Sequence, residues 1–172
     1  MNALARLAGL LEAFAEWTGR LVAWLTLAMV LITFLIVVLR YAFDLGWIAM
    51  QESVLYLHAT VFMLGAAYTL KHDQHVRVDL FYRRIGPRGR AWVDLAGTLL
   101  LLVPVCLFIL DSSWDYVREA WAIREASPEA GGLPGVYLLK SLIPAMAVLL
   151  LIQGVAMALR AGLRLCSKDP AA

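Results

Sequence analysis

The sequence predicts an all-α integral membrane protein, four transmembrane helices with both termini cytoplasmic, and three observations carry that reading. Four separated apolar runs occupy most of the 172 residues. The chain is 62% hydrophobic and only 16% charged, with a mean hydropathy of +0.76, outside the range of ordinary soluble domains. The basic residues between the runs alternate sides, as the positive-inside rule requires.

Taken in order, the spans fall at about 21–39, 53–70, 91–110 and 138–159 within a single domain, 1–172. Leu21 to Leu39 carries no charge, and Arg40 follows it where a cleaved signal peptide would need small residues, so it reads as a retained first span. Ser53 to Leu70 contains only His58 as an ionisable group. Leu95 to Leu110 extends back to Ala91 across Asp94, and Ser141 to Leu159 forms the last run. At the helical rise each covers about 27 to 30 Å, close to a bilayer's hydrocarbon thickness.

With the N-terminus inside, Arg6, Arg20, Lys71, Arg77, Arg83, Arg84, Arg88, Arg90, Arg160, Arg164 and Lys168 are cytoplasmic. Only Arg40, Arg118, Arg124 and Lys140 lie outside. Trp92 and Trp114 bracket the third span, Tyr41 and Trp47 border the first outer loop, and Tyr137 opens the fourth helix, all at the depth where amphipathic rings settle. The net charge of +2 is too small for a nucleic-acid binder. Cys106 lies mid-span and Cys166 in the terminal tail, which argues against a structural disulfide.

Outside the spans, two segments are amphipathic. Leu4, Leu7, Leu11 and Phe14 recur at helical spacing with charges on another face, predicting an N-terminal helix that lies on the cytoplasmic leaflet or continues into the first span. In the middle loop Val76, Val78, Leu80, Phe81 and Ile85 mix with Arg77, Arg83 and Arg84, predicting an interfacial segment that ends at Gly86-Pro87. The third loop, from Asp111 to Val136, is predicted to begin as a helix through about Glu125, either an extension of the third span or a surface helix. It is acidic, with Asp111, Asp115, Glu119, Glu125 and Glu129, and Gly131-Gly132-Leu133-Pro134-Gly135 turns it back.

Polar groups at membrane depth are few. His58 shares a stripe with Gly65 that suits close helix contact, and a packing or hydrogen-bonding role is expected for it. Gln153 can bond across helices, and Gly154, Ala158 and Gly162 make a small-residue stripe. Asp94 is expected to play a local role beside Arg90, Pro104 to kink its helix, and Pro144 to fall harmlessly near a helix start. A haem would need histidines at matched depth, and His72, Asp73, His75 and Asp79 sit in a basic amphipathic segment without a second ligand cluster. No cofactor, metal site or catalytic residue is expected, so the chain does not read as an enzyme.

The stretches RYAFDLGWIAMQE (40–52), GAAYTLKHDQHVRVDLFYRRI (65–85) and GGLPGVYLLKSLIPAMAVLLLIQG (131–154) resemble the small membrane subunit, DctQ-like, of tripartite ATP-independent periplasmic (TRAP) transporters. The ordered set Arg40-Tyr41, Trp47, Glu52 and His75-Val76-Arg77-Val78-Asp79 carries the resemblance. It implies a scaffold packed beside a large multi-helix membrane subunit, served by a periplasmic substrate-binding protein for organic acids. Sodium coupling is expected in the large subunit, not in this chain. Arg40, Tyr41, Trp47, Glu52, His58, Gly65, His75, Arg77, Asp79, Asp115, Glu119, Glu125, Gln153, Gly154 and Ala158 are the expected partner-facing positions. The alternatives are a small four-helix transporter acting alone as an oligomer and a membrane anchor of a redox complex.

Overall fold

Small residues inside and large ones outside set the architecture of this chain, for which a computed structural model describes residues 2–75, 82 and 85–166. Among the described residues four helices are long and apolar enough to cross a membrane: α1 (Asn2–Phe43), α2 (Ile48–Lys71), α3 (Pro87–Ala122) and α4 (Val136–Cys166). The four predicted spans each lie within one of them. Helix α4 packs against all three others, α1 packs on α2, and α3 rests chiefly on α4.

The interior is built from Ala8, Ala15, Ala67, Ala91, Ala120, Ala147, Ala156 and Ala161, while Phe34, Phe62, Leu100 and Phe108 point outward. Lipid is as apolar as leucine, so such helices gain from close backbone approach rather than from hiding large side chains. Two glycines mark the closest approaches. A methyl group on Gly19 of α1 would fall on the Tyr68 ring of α2, and one on Gly154 of α4 would meet Leu102 Cδ2 at 2.7 Å and Thr98 Cγ2 at 3.4 Å.

Helix α3 differs from the sequence expectation in how it treats Pro104. Instead of a simple kink, a π-helical turn at Thr98–Leu102 precedes the proline, with the Val103 N–H donating to the Thr98 carbonyl. Proline has no N–H and crowds the carbonyl four residues earlier, here Leu100, and the wider turn relieves that crowding. Pro144 lies well inside α4 rather than near its start, because α4 already begins at Val136, and the helix continues through it.

Of the two outcomes expected for the N-terminal segment, continuation is the one found: α1 is a single helix of 42 residues, about 63 Å long. Similarly, the acidic segment after the third span continues α3 to Ala122. Only 123–135 is then left as the connecting loop, where Gly131 takes φ 83, a backbone conformation open to glycine. The predicted interfacial segment lies largely outside the described residues, Arg77 and Asp79 with it.

Candidate subunit interface and the two polar rims

Polar contacts between helices gather at the two ends of the bundle. At the basic rim, Glu16 of α1 meets Lys71 Nζ at 2.7 Å, His72 Nε2 at 2.8 Å and Arg20 Nε at 2.8 Å. One turn earlier, Glu12 receives Arg160 of α4 in a two-pronged contact, Nε at 2.9 Å and Nη2 at 2.8 Å. Donation from Lys71, then from His72, holds the Glu16 carboxyl down at about 2, and Arg160 holds that of Glu12 below the ordinary range. A depressed carboxyl stabilises the fold above its unfolded value and ceases to do so as pH falls through its folded one. The Glu16 contribution is therefore complete above about 4.5 and fades toward about 2.

At the acidic rim, Glu52 at the start of α2 reaches across to the loop between α3 and α4. Its Oε1 accepts from the Ser127 hydroxyl and its Oε2 from the Leu133 N–H at 2.6 Å. Those donors, the serine first, keep the Glu52 carboxyl below the usual carboxylate range. Glu125 is bound by Lys140, whose ammonium also sits 3.9 Å above the Tyr116 ring. The Arg124 guanidinium lies over both Trp121 and Tyr137, and the Trp121 indole N–H donates to Ser141 Oγ at 2.8 Å.

These contacts sort the predicted partner-facing residues. Glu52 and Glu125 are engaged within the chain, and Gly154 is taken up by the approach of α3. Gln153 is 2% exposed, but its Oε1 has no hydrogen-bond partner among the described residues, so the expected cross-helix bond through that oxygen is not seen. Ala158 lies half-buried on α4. Asp115 pairs with Arg118 at 3.1 Å on the exposed end of α3, and Glu119 is exposed one turn further on. Arg40 and Tyr41 are exposed at the end of α1, and Trp47 with Ile32, Ala49, Met50 and Ser53 lines an open cleft between α1 and α2.

His58 and Gly65 remain on an outward face of α2. The imidazole is exposed and stacks on Phe62 of its own helix, with centroids 6.4 Å apart. A Cβ added at Gly65 would meet nothing within 4 Å among the described residues. His75 borders an apolar groove of about 710 Å³ lined by Leu70 of α2, Leu102 of α3 and Met157 of α4. Asp94, which also lines that groove, accepts from the Tyr82 hydroxyl at 3.0 and 3.1 Å, and the Arg90 guanidinium lies 5.4 Å from the centre of the same Tyr82 ring. Among the described residues no three His, Cys, Asp or Glu side chains converge as a metal site would require.

Sequence reasoning missed the basic-rim clamp and the contact of Gly19 with Tyr68. The signal for the clamp was present: Glu12 and Glu16 stand four apart on the N-terminal helix, while Lys71, His72 and Arg160 close two other helices. A long-range pairing of this kind needs the bundle topology before it can be drawn.

Four membrane-length helices with an interior of mostly small residues and ion pairs at both ends define a multi-pass membrane protein. Residues 29–163 match the family described as tripartite ATP-independent periplasmic transporters, DctQ component, and the chain belongs to it. This is a family of transporter components rather than of enzymes. The chain is 28% identical over 120 residues to a Haemophilus influenzae protein that bears the name of a TRAP transporter small permease protein, covering 70% of this chain and 73% of that one. It is 28% identical over 106 residues to the C4-dicarboxylate TRAP transporter small permease protein DctQ of Vibrio cholerae, covering 59% of this chain but 45% of that protein. No solved structure matches.

Proposed function

We propose that the chain is the scaffold subunit of an organic-acid uptake system, lying in a bacterial inner membrane with both termini cytoplasmic and packing against a large transport subunit. The observation that carries this is the α2 face of His58 and Gly65. An imidazole at membrane depth is costly against hydrocarbon, and an unfilled glycine beside it admits a neighbouring helix to close range. Substrate passage and sodium coupling belong to the large subunit.

The test is Gly65→Leu, followed by mild-detergent purification. Because no described residue comes within 4 Å of a Cβ at that position and the face points outward, the variant should fold and insert as the parent does. Copurification of the large subunit and substrate uptake should both fall severalfold. Undiminished complex and uptake would remove this face from the interface. The same experiment separates the alternatives, since a self-sufficient transporter moves substrate when reconstituted alone and a redox anchor carries a coloured cofactor.

The acidic rim supports the second half of the reading, that a substrate-loaded binding protein docks on the periplasmic side. Glu125 is committed to Lys140, which leaves Asp115 and Glu119, with Asp111 and Glu129, as the exposed acids of this segment. Charge complementarity chiefly speeds encounter. Asp115→Asn with Glu119→Gln should lower uptake at limiting binding protein and flatten its salt dependence, with recovery at saturation. Uptake equal to the parent's across both titrations would leave these acids without a docking role.

A further inference from the structure

The N-terminal part of α1 is built inside out. Its two acidic residues turn toward the rest of the chain, Glu12 to Arg160 and Glu16 to Lys71 and His72, and its buried positions are the small Ala8, Ala15 and Gly19. The large apolar residues stand on the opposite side. Leu7, Leu10, Phe14, Trp17, Leu21 and Trp24 recur three and four apart and are all exposed, Leu10 at 69% and Trp17 at 61%. A helix bathed in water would be arranged the other way round.

That stripe runs without a break into the one that α1 presents along its predicted span, through Leu31 and Leu35. Between Leu7 and Trp24 it is made of large side chains, with the small Ala3 and Ala28 at its two ends and Ala13 at its margin, and Arg6 and Arg20 are exposed along one edge, where phosphate groups would meet them. From this continuity and polarity we infer that the first twenty residues of α1 are immersed in the leaflet at the basic rim, with lipid, not water or protein, covering the stripe.

The lengths agree with immersion. Leu4 to Leu39 spans about 54 Å at the helical rise. A bilayer including its headgroup regions is about 40–45 Å thick, so α1 fits within it when tilted by about 35–40°, at the upper end of the tilts that membrane helices adopt. The clamp at Glu12 and Glu16 would hold α2 and α4 against that tilted helix, which explains charges facing inward at headgroup depth. The amphipathic segment thus meets the leaflet and continues into the span at once, two roles the sequence presented as alternatives.

The test is collision accessibility of nitroxide labels in the full complex, reconstituted in vesicles of mixed zwitterionic and anionic phospholipid. Labels at Leu7→Cys, Leu10→Cys and Phe14→Cys, in a Cys106→Ala, Cys166→Ser background, are compared with Leu31→Cys as a lipid reference and Glu129→Cys as an aqueous one. The three labels should favour oxygen over a water-soluble nickel chelate severalfold more than Glu129 does, approaching Leu31. Collision with nickel at the level of Glu129 would make the segment a stalk in water and overturn the inference. Exclusion of both reagents would overturn it equally, by showing that a protein surface covers the stripe. Each variant must retain the parent's complex yield, and an exposed single-site label on the outer face of α1 does not disturb the packed side.

Discussion

Replacing Gly19 with leucine should loosen the bundle where α1 and α2 cross. Even a methyl group there falls on the ring of Tyr68, which is itself in contact with the His72 ring at 4.4 Å between centroids. Overpacking a tight helix contact typically costs about 1–3 kcal/mol, and leucine at a backbone crossing belongs at the upper end. The readout is supplied by the chain. Cys106 is buried and Cys166 exposed, so in a Cys166→Ser background a thiol-reactive dye labels Cys106 only as the bundle opens. Gly19→Leu should lower the midpoint temperature of that labelling by several degrees, Gly19→Ala by less, and Tyr68→Ala added to Gly19→Ala should recover part of the loss. A midpoint equal to the parent's in Gly19→Leu would mean that α1 and α2 do not cross at this point.

Removing the Glu52 carboxylate should free the outer loop without unfolding the helices. Two donors from the far end of the chain, Ser127 Oγ and the Leu133 N–H, converge on this one side chain. In Glu52→Ala both lose their acceptor, and hydrogen bonds to an ionised group are the stronger kind. Hydrogen exchange at the Leu133 amide should accelerate on the order of tenfold or more, since opening of the loop then breaks fewer bonds. Glu52→Gln keeps one carbonyl acceptor and should fall between. The amide of Ala67, deep in α2, serves as the control and should stay as slow as in the parent. Parent-like exchange at Leu133 in Glu52→Ala would show that the loop is held by its other contacts, those of Lys140 with Glu125 and of Arg124 with Trp121 and Tyr137.

The four helices were legible in the sequence because bilayer thickness imposes a length on any spanning run, and Leu21 to Leu39 or Ser141 to Leu159 satisfies it on composition alone. Helix ends were less legible. Both α1 and α3 continue far beyond the apolar runs that announced them, since an amphipathic flank such as 2–20 or 111–122 has the same periodicity whether it bends away or runs straight on. The candidate interface was legible in part. His58 and Gly65 are local on α2, and their shared face follows from helical spacing. The roles of Glu52 and Gly154 were not, because each is decided by a residue remote in the chain: Ser127 and Leu133 for the first, Leu102 for the second. The π turn before Pro104 was invisible for another reason. A proline announces a missing donor but not which neighbouring turn will widen to accommodate it.

Charge contacts at both rims, with a close-packed interior of mostly small residues between, give the bundle the mechanics of a cask hooped at top and bottom. Sliding one helix along its neighbour by a single turn, about 5.4 Å, would pull Glu16 away from Lys71 at one end or Glu52 away from Leu133 at the other. Rotation about a helix axis is resisted by the same hoops, since Glu12 and Glu16 of α1 grip two different neighbours. Such a body holds its shape under sideways load. Its helices keep their register with one another, so any displacement of one is a displacement of the whole.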